Sequence, residues 1–341
     1  MGKVYIGLDV GSSTCHLVAM TADRTVIADR KFNTSEANLI EAIEAIKGER
    51  HVHLESTELA GWIRGVLKPR VAKVVVGHAK SSAWIAKDPL KHDQLDATKL
   101  ADLLRMGMVH EVYYSDDEDR AVFKQIVQHY DDMTGQVVRL KNKIKARLRV
   151  QGVIVRGEEL YERKSRRSVV AQVRSSASTE AIGQLGALLD DAIKAQGRAL
   201  NLMKRQSRAY TEIKRFVEVP GVGIVGACRF SGYLQTPHRF SNKRKLWRYC
   251  RLGITDRSSD GKPLGRQSLD INGNGRLKDV SCRAFLGAMR CRDDNRFKRA
   301  YRASLSRTND KTHARLNVQR TILATLLAMW KGGTPYQDDK G

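Results

Sequence analysis

The chain has 341 residues, 61 of them Lys or Arg against 37 Asp or Glu, for a formal net charge of +24. That length sets about two domains, each able to bury a core, and 41% hydrophobic against 29% charged residues excludes a disordered polyelectrolyte. No apolar run reaches the ~18 residues of a membrane span, and the cysteines at 15, 228, 250, 282 and 291 form no Cys-x-x-Cys pair, which excludes a zinc ribbon and leaves reduced, structural thiols as the expectation.

Residues 3–10 and 14–20 read as adjacent strands joined by Gly11-Ser12-Ser13, and 25–32 as a third. Ser35-Glu36-Ala37-Asn38 caps a helix carrying Leu39, Ile40, Ile43 and Ile46. A strand at 51–55, a helix at 57–67, a strand at 71–76 and a helix at 95–106 follow. A three-strand meander followed by alternating helices and strands predicts a mixed sheet covered by helices over residues 1–117, as in ribonuclease H-like (RuvC-like) domains. A doubly wound nucleotide-binding sheet lacks that meander. Gly7-Leu8-Asp9-Val10-Gly11-Ser12-Ser13-Thr14 also resembles the first phosphate-binding turn of sugar kinases and actin-like ATPases, but those folds need a second Asp-Gly turn and an adenosine-binding Gly-Gly segment, and the sequence has neither.

From Asp119 the pattern is helical alone. Phe123, Ile126, Tyr130, Met133, Val137, Leu140 and Ile144 are spaced as a heptad seam, which predicts a coiled coil. The same helix ends in Arg139, Lys141, Lys143, Lys145, Arg147 and Arg149. A second helical stretch at 179–215 predicts an antiparallel hairpin over 118–215, with Arg163-Lys164-Ser165-Arg166-Arg167 in its connection. Residues 1–120 hold 16 basic and 18 acidic side chains, a net of −2, so the remaining 221 residues carry +26. A block that positive favours a polyanion whose condensed counterions are released on contact. A solvated helix face is the bland account of such basic runs; the surrounding +26 turns the expectation toward phosphate contact through Arg139, Lys143, Arg147, Arg166 and Arg167. A third region, 216–331, is rich in Gly, Arg and short turns and ends in an apolar helix around 322–329, while 332–341 reads as a frayed tail. The expected fold class is α/β plus α.

Four acidic residues in the near-neutral part sit where a metal site needs them. Asp9 lies in the apolar strand Ile6-Gly7-Leu8-Asp9-Val10, where an ionised carboxylate is costly unless paired or bound to a cation. Glu55 ends the strand Val52-His53-Leu54-Glu55, and Asp93 and Asp96, three apart at a helix start, project from one face. Any single Asp there is commonly just a helix cap. Together the four are hard oxygen donors suited to Mg²⁺ or Mn²⁺, and a pair of such ions clamps both oxygens of an in-line phosphoryl displacement. Glu58, Asp88 and Asp102 read as outlying carboxylates. Farther on, Val219-Pro220-Gly221-Val222-Gly223-Ile224-Val225 reads either as a plain structural turn or as a helix-hairpin-helix turn, in which Gly221 and Gly223 let backbone N–H groups approach a phosphate.

These pieces, with His53-Leu54-Glu55-Ser56-Thr57, Gly61-Trp62, Asp93-Gln94-Leu95-Asp96-Ala97, Arg239-Phe240, Leu252-Gly253-Ile254-Thr255 and Ser258-Ser259-Asp260-Gly261-Lys262, extend along nearly the whole chain. In that order the sequence resembles a DEDD-type insertion-sequence transposase, of the family that includes the Piv DNA invertases and the bridge-RNA-guided recombinases. The resemblance implies a site-specific DNA recombinase or transposase in which Asp9, Glu55, Asp93 and Asp96 supply the metal and a C-terminal serine attacks the DNA phosphate, forming a transient phosphoserine link. Covalent capture conserves the phosphodiester energy that strand exchange needs. The family serine immediately precedes Gly; here Ser259 precedes Asp260-Gly261, with Ser258 and then Ser268 as alternatives. Asp260 adds a negative charge beside that nucleophile. Arg257, Lys262 and Arg266 are expected to hold a phosphate.

The resemblance further implies DNA and a noncoding guide RNA as partners, a homodimer or homotetramer, no membrane, and a prokaryotic cytoplasmic location at the nucleoid. Two other classes compete with this reading: a metal-dependent junction nuclease that hydrolyses DNA with water, and a non-catalytic nucleic-acid-binding protein.

Overall fold

The computed structural model describes residues 2–78, 93–255, 258–259, 262–263 and 268–338, with only the backbone of 157–158, 258–259 and 262–263. The chain divides into two compact units, Met1–Tyr114 and Ser115–Gly341.

Unit one is built on a five-stranded sheet in the order β3-β2-β1-β4-β5. β1 (Lys3–Val10), β2 (Thr14–Met20) and β3 (Val26–Asn33) form the antiparallel meander, while β4 (Glu49–Glu55) joins β1 in parallel and β5 (Lys73–Gly77) extends the parallel edge. This is the mixed sheet the meander predicts. Side-chain alternation gives the sheet two faces. Ile6, Leu8, Leu17, Val52 and Leu54 point to one face and bury Leu39 and Ile43 of α1 (Glu36–Glu44) and Ile63 and Leu67 of α2 (Ala60–Leu67). The residues between them point to the other, where Tyr5, Val18 and Met20 meet Ala97 and Ala101 of α3 (Asp93–Arg105).

Gly7 fixes how closely α3 lies on the sheet. A Cβ there would overlap the Ala97 carbonyl oxygen and the Ala101 backbone nitrogen, so α3 rests directly on the β1 backbone.

Unit two is helical. α4 (Glu118–Val150) and α6 (Ser176–Gln206) pair lengthwise and antiparallel: Gln151 Nε2 donates to Ser178 Oγ at 3.3 Å near one end, and Gln196 Nε2 to Thr134 Oγ1 at 3.0 Å midway. The basic segment at 163–167 lies in the connection between them, where it forms a short helix, α5 (Arg163–Val170). The heptad residues are buried or half-buried, but they serve two cores. Val137 and Ile144 pack with Ile182 and Leu189 of α6. Phe123 and Tyr130 join a larger core with α7 (Thr211–Phe216), α8 (Ile224–Leu234), α9 (Lys243–Tyr249), α10 (Gly275–Arg290), α11 (Arg296–Thr308) and α12 (Lys311–Gly332). The base of the hairpin and the C-terminal helices therefore share one core, where the sequence suggested separate bodies at 118–215 and 216–331.

A buried network fastens this junction. Arg229 Nε donates to Asp131 Oδ1 at 2.8 Å, Tyr233 OH to Asp131 Oδ2 at 2.7 Å, and Arg229 also reaches Asp279 at 3.2 Å, joining α4, α8 and α10. The expected frayed tail is tied down through residue 338. Tyr336 stacks on Phe297, and Asp338 accepts from the Arg296 backbone N–H at 3.0 Å and from Arg299 at 2.9 Å. All five cysteines are free thiols, and no helix among the described residues is long and apolar enough to cross a membrane.

Candidate functional site

Asp9 and Glu55 follow directly on the parallel pair Leu8 and Leu54, at the C-terminal ends of the two central strands. Because Leu8 and Leu54 face α1 and α2, alternation turns Asp9 and Glu55 toward the α3 side. There the first turn of α3 carries Asp93 and Asp96. The close seating of α3 over Gly7 brings that turn to the same end of the sheet.

Asp9, Glu55 and Asp96 are half-buried and Asp93 is exposed. Burial raises the Asp9 carboxyl above its ordinary pKa, and the charges of Asp96, Asp93 and Glu55 push it further the same way. Asp9 thus feels the other three acids through space. Asp93 is held the opposite way: Lys31 Nζ on β3 donates to Asp93 Oδ2 at 2.7 Å and lowers its pKa. Beside that pair, His16, the cross-strand neighbour of Asp9, contacts Asp29 at 2.6 Å, and Gln94 donates to the other oxygen of Asp29. In these side-chain positions, no group of three or more His, Cys, Asp or Glu among the described residues is gathered closely enough to hold an ion. The donor chemistry nevertheless suits a hard divalent cation, because the mutual repulsion at Asp9 is what such a cation relieves.

His53 lies beneath the site on the α3 face of β4. It is fully buried, Nδ1 donates to the Leu100 carbonyl at 2.8 Å, and Nε2 has no partner among the described residues. Burial holds its pKa down, so the ring is neutral. Asp88 lies outside the described residues.

The basic candidates separate by burial. Arg139, Lys143 and Arg147 are exposed and four residues apart, one stripe along α4, and Arg167 is exposed on α5. Arg166 is not a surface phosphate contact. It is 4% exposed, with its guanidinium committed to the Leu160 carbonyl at 2.9 Å and to Asp190 on α6. It shares the buried face of α5 with Val169, and the Val169, Val170 and Val173 spacing from Arg166 was the sequence signal for it. Lys141 is likewise buried, with Nζ over the Tyr161 ring.

The two turn glycines also differ. Gly221 has φ +84°, and a Cβ there would overlap the Ala284 carbonyl oxygen and Ala288 nitrogen of α10. On its Cα side it serves close helix packing against α10, while the residue itself is half-buried and lines an open cavity together with Gly223, Arg229 and Arg283. Gly223 is exposed, with open space around it, at the N-cap of α8, whose first turn has no side-chain cap.

Between α9 and α10 the backbone forms two nested ladders. Thr255 pairs with Ser268 in β6 (Ile254–Thr255) and β9 (Ser268–Leu269), and Ser259 pairs with Lys262 in β7 (Ser258–Ser259) and β8 (Lys262–Pro263). The Ser268 hydroxyl lies 3.1 Å from that of Thr255. Arg257, Asp260 and Arg266 lie outside the described residues.

Comparison with protein families matches both halves of the chain. Residues 6–151, spanning the carboxylate-bearing sheet and α4, match the family model for DEDD-type IS110 transposases, described as a transposase. Residues 213–302, spanning α7 through most of α11, match the model described as the transposase IS116/IS110/IS902 family. No curated protein matches the chain.

Proposed function

The chain belongs to the IS110 family of DEDD transposases, enzymes that act on DNA, and from that premise we propose that it cuts and rejoins DNA with two groups of its own residues. The first is the carboxylate set Asp9, Glu55, Asp93 and Asp96, which would hold Mg²⁺ or Mn²⁺. The observation that carries this is the raised pKa of Asp9 in the field of the other three. A bound divalent ion would supply charge neutralisation at the scissile phosphate. The carboxylates would position it, and His53, on the α3 face of β4 and hydrogen-bonded to the Leu100 carbonyl, would support α3 beneath them.

The second group is the serine arm. Ser259 is the proposed nucleophile, with Ser258 and then Ser268 behind it, and its place opposite Lys262 in the β7–β8 ladder supports the choice. Its hydroxyl oxygen would bond to phosphorus as the phosphorus–oxygen bond to the leaving strand breaks, and the reverse reaction would rejoin a strand without external energy. Arg257, Lys262 and Arg266 would hold the phosphate oxygens. Arg139, Lys143, Arg147 and Arg167 would carry sequence-independent phosphate contacts, and Gly223 would offer the free N–H groups of α8. A noncoding guide RNA, a homodimer or homotetramer that combines carboxylates and serine, and action at the prokaryotic nucleoid complete the reading.

The test is strand cleavage with Mg²⁺ or Mn²⁺. Asp9→Ala and Glu55→Ala should each abolish it while leaving nucleic-acid affinity within about twofold, and full cleavage by either would overturn the metal role. Wild-type protein trapped under cleaving conditions should yield a DNA adduct whose mass-mapped peptide contains Ser259. Cleavage without any adduct would transfer the reaction to water.

A further inference from the structure

α9, α11 and α12 enclose an open groove of about 1040 Å³ in unit two, apart from the β6–β9 arm. Its described lining contains Lys243, Arg296, Arg307, Arg320 and Lys331 and no Asp or Glu, with Asp338 just behind Arg296 and Tyr336 at one end. Its floor is made of small residues, Ala300, Ala303, Ala324 and Ala328, which keep α11 and α12 from filling the space with side chains. Thr321 and Thr325 give their hydroxyl protons to carbonyls of their own helix, at 2.9 and 3.0 Å, so the floor offers little unsatisfied polarity.

Trp247 stands at the wall. Its ring is half-buried, and Nε1 donates to the Arg320 carbonyl at 3.0 Å, which fixes its orientation. Lys243 Nζ lies 5.7 Å and the Arg320 guanidinium 5.9 Å from its centroid. Arg320 is itself anchored, its Nε donating to the Leu252 carbonyl at 2.9 Å, two residues before β6. Lys331 donates to the Phe240 carbonyl at 2.7 Å. Arg307 is exposed and makes no hydrogen bond or ion pair among the described residues. Tyr336, docked on Phe297, lines the groove beside the C-terminal end of α12.

A basic, concave groove with an oriented aromatic side chain has the chemistry of a site for an unpaired polynucleotide. Cations track the backbone, and the ring stacks on a base exposed only when the strand is single. A second protein helix would meet the small-residue floor equally well, but five cations with no acid among the described lining residues favour a polyanion. We propose that the α9–α11–α12 groove binds a single-stranded segment of nucleic acid, with Lys243 and Arg307 on phosphates and Trp247 under a base. This rests on the reading of the protein as a nucleic-acid enzyme and adds a strand-binding site distinct from the carboxylates and the serine arm. Through Arg320 and Leu252, the groove is joined to the start of that arm.

The experiment uses the full chain with labelled dT₂₀, U₂₀ and a 20-base-pair duplex, comparing wild type with a Lys243→Gln/Arg307→Gln double variant, both side chains being exposed. The variant should bind the single strands about tenfold more weakly, bind the duplex as wild type does, and lose roughly 0.7 from the slope of log affinity against log salt for each phosphate contact removed. Preference for U₂₀ would assign the strand to RNA, and preference for dT₂₀ to DNA. Photocrosslinking of 5-iodouracil strands to wild type should map to Trp247 or Tyr336. Unchanged single-strand affinity in the double variant, or crosslinks confined to other regions, would overturn the groove. Duplex cleavage by the same preparations reports separately on the transposase reading: cleavage with no groove phenotype removes only the groove, and groove binding without any cleavage removes only the catalytic assignment.

Discussion

Lys31 Nζ on β3 donates to Asp93 Oδ2 on α3 at 2.7 Å, so one of the four carboxylates already has a cation before any metal ion arrives. Both side chains are more than half exposed, which makes the pair easy to exchange for another cation. The hydrogen bond and charge of Lys31 hold the Asp93 carboxyl below the ordinary range. The pair is therefore present at neutral pH and is lost only as pH falls through that lowered pKa. Lys31→Gln removes the competitor. The concentration of Mn²⁺ giving half-maximal cleavage should fall several-fold in this variant at pH 7, measured by titration on a fixed DNA substrate. A higher Mn²⁺ requirement would mean that Lys31 assists the ion instead of competing with it.

Asp9 shows the opposite sign. Burial and three neighbouring carboxylates raise its pKa, so its ionised form is a strain on the metal-free protein that is relieved as pH falls through the raised value. Asp9→Asn should raise Tm in EDTA by a few degrees at pH 7–8, lose that advantage toward pH 4, and abolish cleavage. A lower Tm at neutral pH would show that the carboxylate has a stabilising partner, and would remove the repulsion argument for a cation.

The sheet was legible because meander order and alternation both encode it: the apolar residues of β1, β2 and β4 fall on every second position, and the two strand-end acids fall on the face left for α3. The seating of α3 was not, since nothing in Ile6-Gly7-Leu8 says whether a glycine marks a turn or a close helix approach. The Lys31–Asp93 pair was equally hidden. It joins residues 62 apart through β3, an edge strand whose Asp29, Arg30 and Lys31 look in sequence like side chains that only meet water. The heptad seam was visible but its partners were not, because period 3.5 records burial without saying that Phe123 meets α8 while Ile144 meets α6. Net charge misled at Arg166, where a buried ion pair looks the same in composition as a solvated one.

Neighbouring arginines on α5 give a direct contrast. Arg166→Ala strands Asp190 and a carbonyl that lose their donor, and should cost roughly 3 kcal/mol, the scale for breaking a buried pair. Arg167→Ala should leave urea unfolding within about 0.5 kcal/mol of wild type. It should instead weaken duplex DNA binding and reduce the salt slope by about one. Equal stability losses in the two variants would contradict the burial difference, and unchanged DNA binding by Arg167→Ala would remove it from the phosphate contacts.

The glycines at 221 and 223 separate packing from phosphate approach within one turn. Gly221→Ala places a Cβ into the backbone of α10 at a residue with φ +84°, and both effects destabilise, so Tm should drop sharply and soluble yield should fall. Gly223→Ala meets open space at an ordinary backbone conformation, and Tm should change little. If the free N–H groups of α8 hold a DNA phosphate, the added methyl there should nonetheless weaken duplex binding several-fold, because close backbone approach is what the glycine allows. Binding equal to wild type in Gly223→Ala, with Tm preserved, would assign the whole turn to helix packing. The DNA contacts would then rest on the exposed cations of α4 and α5.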